Sequence, residues 1–251
     1  MFTTLTYRFI LQLEYKGLWY ILFLALVISR RIYKMASKEL FIFDMDGVLL
    51  ESEPFWRTAQ IETLATLGVT ISVDDCIRHT MGKRLEDMAK LWTDMFSLDI
   101  GTAHLAQLIV NQVVLNIGLD GKANEGLYSL IEFLRSKNYR IALATSSCVP
   151  IISAVIKKLD LNNVFELMVS ADEVPNGKPA PDVYLEVCRR IGVPTTKALA
   201  LEDSLTGVRS AVAAGITTIA IPEFNSKEFV IADHVINKLQ DAIDIAADYF
   251  K

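Results

Sequence analysis

Five short apolar runs limit what this chain can become. They are ELFIF (39–43), RIALA (140–144), ELMVS (166–170), ALALE (198–202) and ITTIAIP (216–222), each with the length and aliphatic character of a buried strand. Helix-like segments at 150–160, 181–191 and 204–214 separate the later runs. Pro150 and Pro181 stand where helices start, and Gly192 and Gly215 where they stop. A repeated strand–helix–strand rhythm builds a parallel sheet with helices on both faces. The expected fold class is α/β, with a Rossmann-like parallel-sheet core.

One crossover is far too long for this rhythm. It runs from Phe43 to Arg140, whereas a single crossover needs about a dozen residues. NEGLYSLIEFLRSK (124–137) already supplies a crossover helix. The excess carries helical periodicity in EPFWRTAQIETLATLG, RLEDMAKLWTDMF and TAHLAQLIVNQVVLNIG, and reads as an inserted all-helical subdomain. The expected organisation is an apolar extension at 1–35, a core at 36–51 and 121–251, and a helical cap at 52–120.

Composition narrows the partners. With 52 % hydrophobic and 22 % charged residues among 251, the chain can fill a large core and is not disordered. A net charge of −5 leaves no basic footprint for nucleic acid. Cys76, Cys148 and Cys188 are odd in number and far apart, so they read as reduced thiols rather than a disulfide frame or metal knuckle. Residues 17–29, GLWYILFLALVIS, are apolar throughout but shorter than the ~20 residues of a membrane span. No small-residue cleavage site follows them, and Arg30 and Arg31 do. An extension ahead of a start at Met35 is the first reading of residues 1–34, a weak anchor the second and a secretory signal the last.

Ligands of open parallel sheets bind outside the carboxyl ends of the strands. There the first strand runs into Asp44 and Asp46, the second into Thr145, Ser146 and Ser147, and the fourth into Glu202 and Asp203. Lys178 follows the third. Each has an ordinary structural explanation. The aspartates suit the turn at Gly47, the hydroxyls could cap the helix entered through Pro150, Asp203 could be an N-cap, and Lys178 could be a surface cation. Together they are harder to explain in this way. Like charges ~4 Å apart repel by ~4 kcal/mol at an effective dielectric of 20. A hard divalent cation relieves that conflict, and Mg²⁺ favours oxygen ligands beside a phosphate. The hydroxyls and amides of 145–147 with Lys178 then form a phosphate cradle.

These residues, in this order, resemble the motifs of the haloacid dehalogenase-like hydrolases: DMDG at 44–47, a strand ending in Thr145, Lys178 in GKPAPD and the acidic pair of LEDS at 201–204. The insert after the first motif looks like the helical cap of the β-phosphoglucomutase-like sugar phosphatases. DGVLLESEPFW is similar to bacterial hexitol and 2-deoxyglucose-6-phosphate phosphatases. Glu51, where many relatives have aspartate, and ANEG (123–126) in place of Pro-Gly depart from the pattern without touching the expected chemistry. The resemblance implies Asp44 as nucleophile and Asp46 as general acid and base. It implies Mg²⁺ held by Asp44, Asp203 and the main-chain carbonyl of Asp46, with Glu202 direct or through water. Thr145, Ser146 and Lys178 would bind phosphoryl oxygens.

Gly82, Lys83 and Arg84 fall where capped relatives place a substrate-contacting loop, so Lys83 or Arg84 would meet the substrate, unless they only start a solvated helix. His79 reads as structural. The expected activity is Mg²⁺-dependent hydrolysis of a small phosphorylated sugar or polyol. A hexose phosphomutase is the alternative, and a phospho-accepting receiver, with Asp172 or Glu173 as its acceptor, is a remote one. The expected protein is a cytoplasmic monomer with a small phosphorylated metabolite as partner. It binds no nucleic acid and no membrane unless residues 1–34 are retained.

Overall fold

The computed structural model describes residues 39–224 and 226–250. The apolar segment at 17–29 and the choice of start at Met35 lie outside them. Six parallel strands are ordered β3-β2-β1-β4-β5-β6. In chain order they are β1 (Leu40–Phe43), β2 (Arg140–Thr145), β3 (Leu167–Ser170), β4 (Ala198–Glu202), β5 (Thr217–Ala220) and β6 (His234–Val235). The helices are α1 (Glu53–Thr66), α2 (Val73–His79), α3 (Leu85–Phe96), α4 (Thr102–Asp120), α5 (Leu127–Ser136), α6 (Val149–Lys158), α7 (Asp182–Ile191), α8 (Leu205–Ala213) and α9 (Asp241–Tyr249). All of α1 to α4 lie between β1 and α5, where the long crossover is.

Every residue of β1 is buried, as a strand covered on both faces requires. Side chains alternate across the pleat. Phe41, Phe43, Ile141, Leu143, Leu199 and Leu201 therefore join one core. Leu40, Ile42, Ala142, Ala144, Ala198 and Ala200 join the other. The alanines leave room on that second face for α7, whose Val183, Tyr184 and Val187 are fully buried. The first core runs without a break into the helical insert through Leu64, Trp92 and Ile109. Thr102–Asp120 is the one helix among the described residues long and apolar enough to cross a membrane. Its Leu105, Ile109, Val113 and Ile117 are instead fully buried in the first core.

Three elements are absent from the strand and helix pattern read off the sequence: α2, β6 and α9. The seven residues of α2 bury only Cys76, so apolar periodicity does not mark it. Its start is local chemistry, a capping box in which Ser72 and Asp75 exchange hydrogen bonds. Both residues of β6 are exposed, and among the described residues it pairs only with β5.

Register brings the strand ends level. Phe43 is paired with Leu143 on one side and Leu201 on the other. The next residues, Asp44, Ala144 and Glu202, therefore reach the carboxyl edge together, and Asp44 N donates to Leu201 O at 2.9 Å.

Candidate active site

Asp44 leaves β1 as the chain turns. Gly47 has φ +74°, and Gly47 N closes the turn on Leu50 O at 2.8 Å. A side chain at Gly47 would meet both this left-handed backbone and the Asp203 carboxylate, which a β-carbon there would overlap. Asn124 holds the turn from behind. Its Nδ2 donates to Gly47 O at 2.8 Å and Val48 O at 3.2 Å. The ANEG segment thus supports the site, because its asparagine braces the loop that carries Asp46.

Capping is assigned differently from the ordinary readings of these residues. Ser204, not Asp203, caps α8, accepting from Gly207 N at 3.0 Å. Asp203 is left to face Gly47. The N-cap of α6 is Cys148, with no side-chain cap bond. The hydroxyls before it turn to Asp46. Ser147 Oγ donates to Asp46 Oδ2 at 2.8 Å and Thr145 Oγ1 to the same atom at 3.4 Å. Ser170 Oγ fixes this loop through Ser147 O at 2.9 Å. Asp46 Oδ1 is buried, with no hydrogen-bond partner among the described residues. Ser146 is exposed and lines the cavities in front of the strand ends.

Lys178 is buried, not a surface cation. Its side chain is 4 % exposed, and Nζ donates to Asp44 Oδ1 at 2.6 Å, to Ala144 O at 3.0 Å and to Glu202 Oε1. Those three bonds use every proton of the ammonium. Glu202 is fully buried. Its Oε1 also accepts from Tyr184 OH at 2.7 Å, and its Oε2 faces Ser204 Oγ at 3.2 Å. The Tyr184 ring lies 5.2 Å from Lys178 Nζ. Tyr184 and Asn124 are thus site residues given no role by the sequence, and the Ser147 hydroxyl, expected in the phosphate cradle, is bonded to Asp46 instead. Ser147 stands in the hydroxyl run and Asn124 in a noted departure, whereas Tyr184 occupies an ordinary apolar helix position.

One oxygen from each of Asp44, Glu202 and Asp203 falls within 4.8 Å of the others. Three carboxylates against the single Lys178 charge leave negative charge uncompensated. Burial and then the Glu202 charge push Asp203 up to about 8. Burial, followed by Glu202, also raises Asp44 well above the usual carboxylate range despite Lys178. Burial works against the Lys178 charge, but Asp44 and Glu202 outweigh it and hold its pKa above the ordinary value. An all-oxygen donor set with excess negative charge fits a hard divalent cation. The Asp46 carboxylate is outside this set. Glu202, with both oxygens already engaged, serves as the anchor of Lys178.

Two cavities, of about 520 and 580 Å³, share Asp46, Ser52, Glu53, Ser146, Lys178 and Ser204 on their walls. The larger reaches the insert, where Lys83 and Arg84 line it. Both are exposed, and neither has an ion pair among the described residues. Glu51 lines the smaller cavity. His79 stands edge-on to Trp92 with ring centres 6.1 Å apart, away from both cavities.

A family model described as haloacid dehalogenase-like hydrolase matches residues 41–221. The chain is 30 % identical over 207 residues to hexitol phosphatase B of Escherichia coli K12, covering 80 % of this chain and 92 % of that protein. It is 29 % identical over 216 residues to a phosphorylated carbohydrates phosphatase of Thermotoga maritima, covering 82 % of this chain and all of the other. Among solved structures it is similar to CbbY from Rhodobacter sphaeroides in complex with phosphate. That match has a TM-score of 0.73 and 27 % identity, and covers 81 % of this chain and 96 % of the other.

Proposed function

This chain belongs to the haloacid dehalogenase-like hydrolases, and we propose that within the family it is a Mg²⁺-dependent phosphatase. Its substrate is a small phosphorylated sugar or polyol, hydrolysed through an aspartyl-phosphate. The observation that carries this reading is the convergence of Asp44, Glu202 and Asp203 within 4.8 Å, with Lys178 bonded to Asp44, at a cavity that also holds Asp46. The named phosphatases among its relatives support the substrate class.

Asp44 and Asp203, with the main-chain carbonyl of Asp46, would hold the cation, and Glu202 would stand behind them. Bound there, Mg²⁺ supplies positive charge for the phosphoryl oxygens and relieves the crowding of the acids. The rest is done by the chain. Lys178 fixes the rotation of the Asp44 carboxylate. An Asp44 oxygen attacks phosphorus, the bond from phosphorus to the ester oxygen breaks, and the departing oxygen takes a proton from Asp46. Ser147 and Thr145 hold Asp46 Oδ2, which fixes the orientation of its carboxyl group. In the second half a water oxygen attacks the same phosphorus and gives a proton to Asp46. The bond to Asp44 breaks and inorganic phosphate is released. Ser146 and the amides beside it would face the phosphoryl oxygens. Lys178 would reach them only by exchanging one of its present partners.

Residues 52–120 would act as the cap, closing the cavity against water during transfer, with Lys83 and Arg84 toward the sugar. The free thiols of Cys76, Cys148 and Cys188 suit a reducing compartment such as the cytoplasm. The test is phosphate release from sugar phosphates, polyol phosphates and nucleotides, with and without chelator. Metal-dependent release is expected, and fastest from a sugar or polyol phosphate. Release unaffected by chelator, or confined to nucleotides, would overturn the reading.

A further inference from the structure

Gln60, on α1, is only 2 % exposed, yet both polar atoms of its side-chain amide have hydrogen-bond partners. Nε2 donates to Trp56 O at 3.1 Å, Oε1 accepts from Trp92 Nε1 at 2.9 Å, and the single proton of Thr80 Oγ1 is shared between Gln60 Oε1 at 2.8 Å and Cys76 O at 2.9 Å. An indole N–H only donates, so the oxygen must face Trp92 and the amide has one orientation. Three helices of the insert meet at this group: α1 through Gln60, α3 through Trp92, and α2 through its C-cap Thr80, itself 2 % exposed.

Filling space does not require such a group. An apolar side chain of the same volume would need no partners, and a buried amide is costly wherever one is missing. What the amide adds is direction. Thr80 is the root of the loop that carries Lys83 and Arg84. Lys83 N bonds Thr80 O at 3.0 Å, and the chain then turns at Gly82 with φ +72°. Arg84 reaches the residue before Lys178: a β-carbon built on Gly177 would sit 3.9 Å from Arg84 Nη2. Gln60 and Thr80 themselves line the 580 Å³ cavity with Asp46 and Arg84.

We infer that Gln60 and Thr80 are positioning residues whose hydrogen-bonded chain to Trp92 sets where the 82–84 loop meets the substrate, and so which phosphorylated polyol is held productively. This deepens the phosphatase reading and rests on it for the identity of the substrate. The placement of the loop does not rest on it.

Thr80→Val keeps the shape and removes the hydroxyl, while Thr80→Ser restores it. Steady-state rates are measured on the best substrate among sorbitol 6-phosphate, mannitol 1-phosphate and glucose 6-phosphate, and on p-nitrophenyl phosphate, which offers the loop no sugar hydroxyls. Hydrogen exchange at amides 81–84 is followed in parallel. For Thr80→Val we expect KM for the polyol or sugar ester to rise by about tenfold, the scale of one lost hydrogen bond, with a smaller change in kcat. The aryl ester should be affected far less, exchange at 81–84 should quicken while β4 is unchanged, and Thr80→Ser should reverse each effect. Parallel losses on both esters, an unchanged KM, or no rescue by serine would overturn the inference. If the wild type hydrolyses none of these esters, the phosphatase reading fails separately. Exchange at 81–84 then decides the loop placement, and unaltered exchange in Thr80→Val rejects it.

Discussion

Lys178 Nζ stands 2.6 Å from Asp44 Oδ1 while also bonding Glu202 and the Ala144 carbonyl. One buried ammonium thereby ties the acid that ends β1 to the acid that ends β4. It is a structural clamp whatever part it takes in the proposed chemistry.

Removing the clamp should cost both stability and activity. Lys178→Met leaves Asp44 and Glu202 buried without their cation, and breaking such a pair costs about 3–5 kcal/mol. Chemical denaturation of the metal-free protein is expected to show a loss on that scale, and phosphate release should be abolished. Lys178→Arg should not restore activity, because a planar guanidinium cannot reproduce three bonds from one point. A stable, active Lys178→Met protein would refute the clamp.

The two aspartates of DMDG should separate by leaving group. Asp44→Asn should abolish turnover on every ester without unfolding the protein, because it removes a charge from a crowded set. Asp46→Asn should slow a polyol phosphate by about 10²–10⁴-fold, the usual reach of general acid–base help. Its effect on kcat/KM for p-nitrophenyl phosphate, which reports formation of the aspartyl-phosphate, should be smaller, because nitrophenolate leaves without a proton. Equal losses in kcat/KM on both esters for Asp46→Asn would argue against proton donation by that residue.

Proton and cation should compete at Asp203. Its folded pKa is pushed up to about 8 from 3.8 by burial and then by Glu202. Between these values the folded state holds a proton that the unfolded state has released. This contribution to stability is complete below the unfolded pKa and is lost as pH rises through about 8. Asp44 is shifted in the same direction. Chelated protein should therefore melt lower at pH 8 than at pH 6, and added Mg²⁺ should raise Tm more at pH 8. A metal-induced shift equal at both pH values, or larger at pH 6, contradicts this account.

Gly207→Ala should disable the site from the far side of Glu202. A β-carbon there would overlap both Glu202 carboxylate oxygens, which have no slack because Lys178, Tyr184 and Ser204 hold them. Overpacking at a well-filled position costs about 1–3 kcal/mol, and displacement of Glu202 would release Lys178. A lower Tm together with lost phosphate release is the expected result. Wild-type behaviour would show that Glu202 has room to move.

The main outline of the sheet was legible because fully apolar strands such as Leu40–Phe43 and covering helices such as Asp182–Ile191 carry their burial in composition and period. The helical insert was legible for the same reason, as a crossover too long for one helix. The weak elements were not. Val73–His79 has a capping box but no apolar stripe, and His234–Val235 is a two-residue exposed edge. Neither leaves a hydrophobic pattern to read.

The sequence by itself determined which acids, hydroxyls and lysine stand at strand ends, since a parallel sheet delivers its carboxyl termini to one edge. Only the tertiary structure decided how they share their bonds. Ser147 and Thr145 turned to Asp46 rather than to a helix cap, Glu202 was committed to Lys178 and Tyr184, and Asp203 was freed by Ser204. These choices depend on distances between side chains from separate elements. A buried polar atom takes whichever partner the packing brings within about 3 Å, and no local pattern along the chain encodes that.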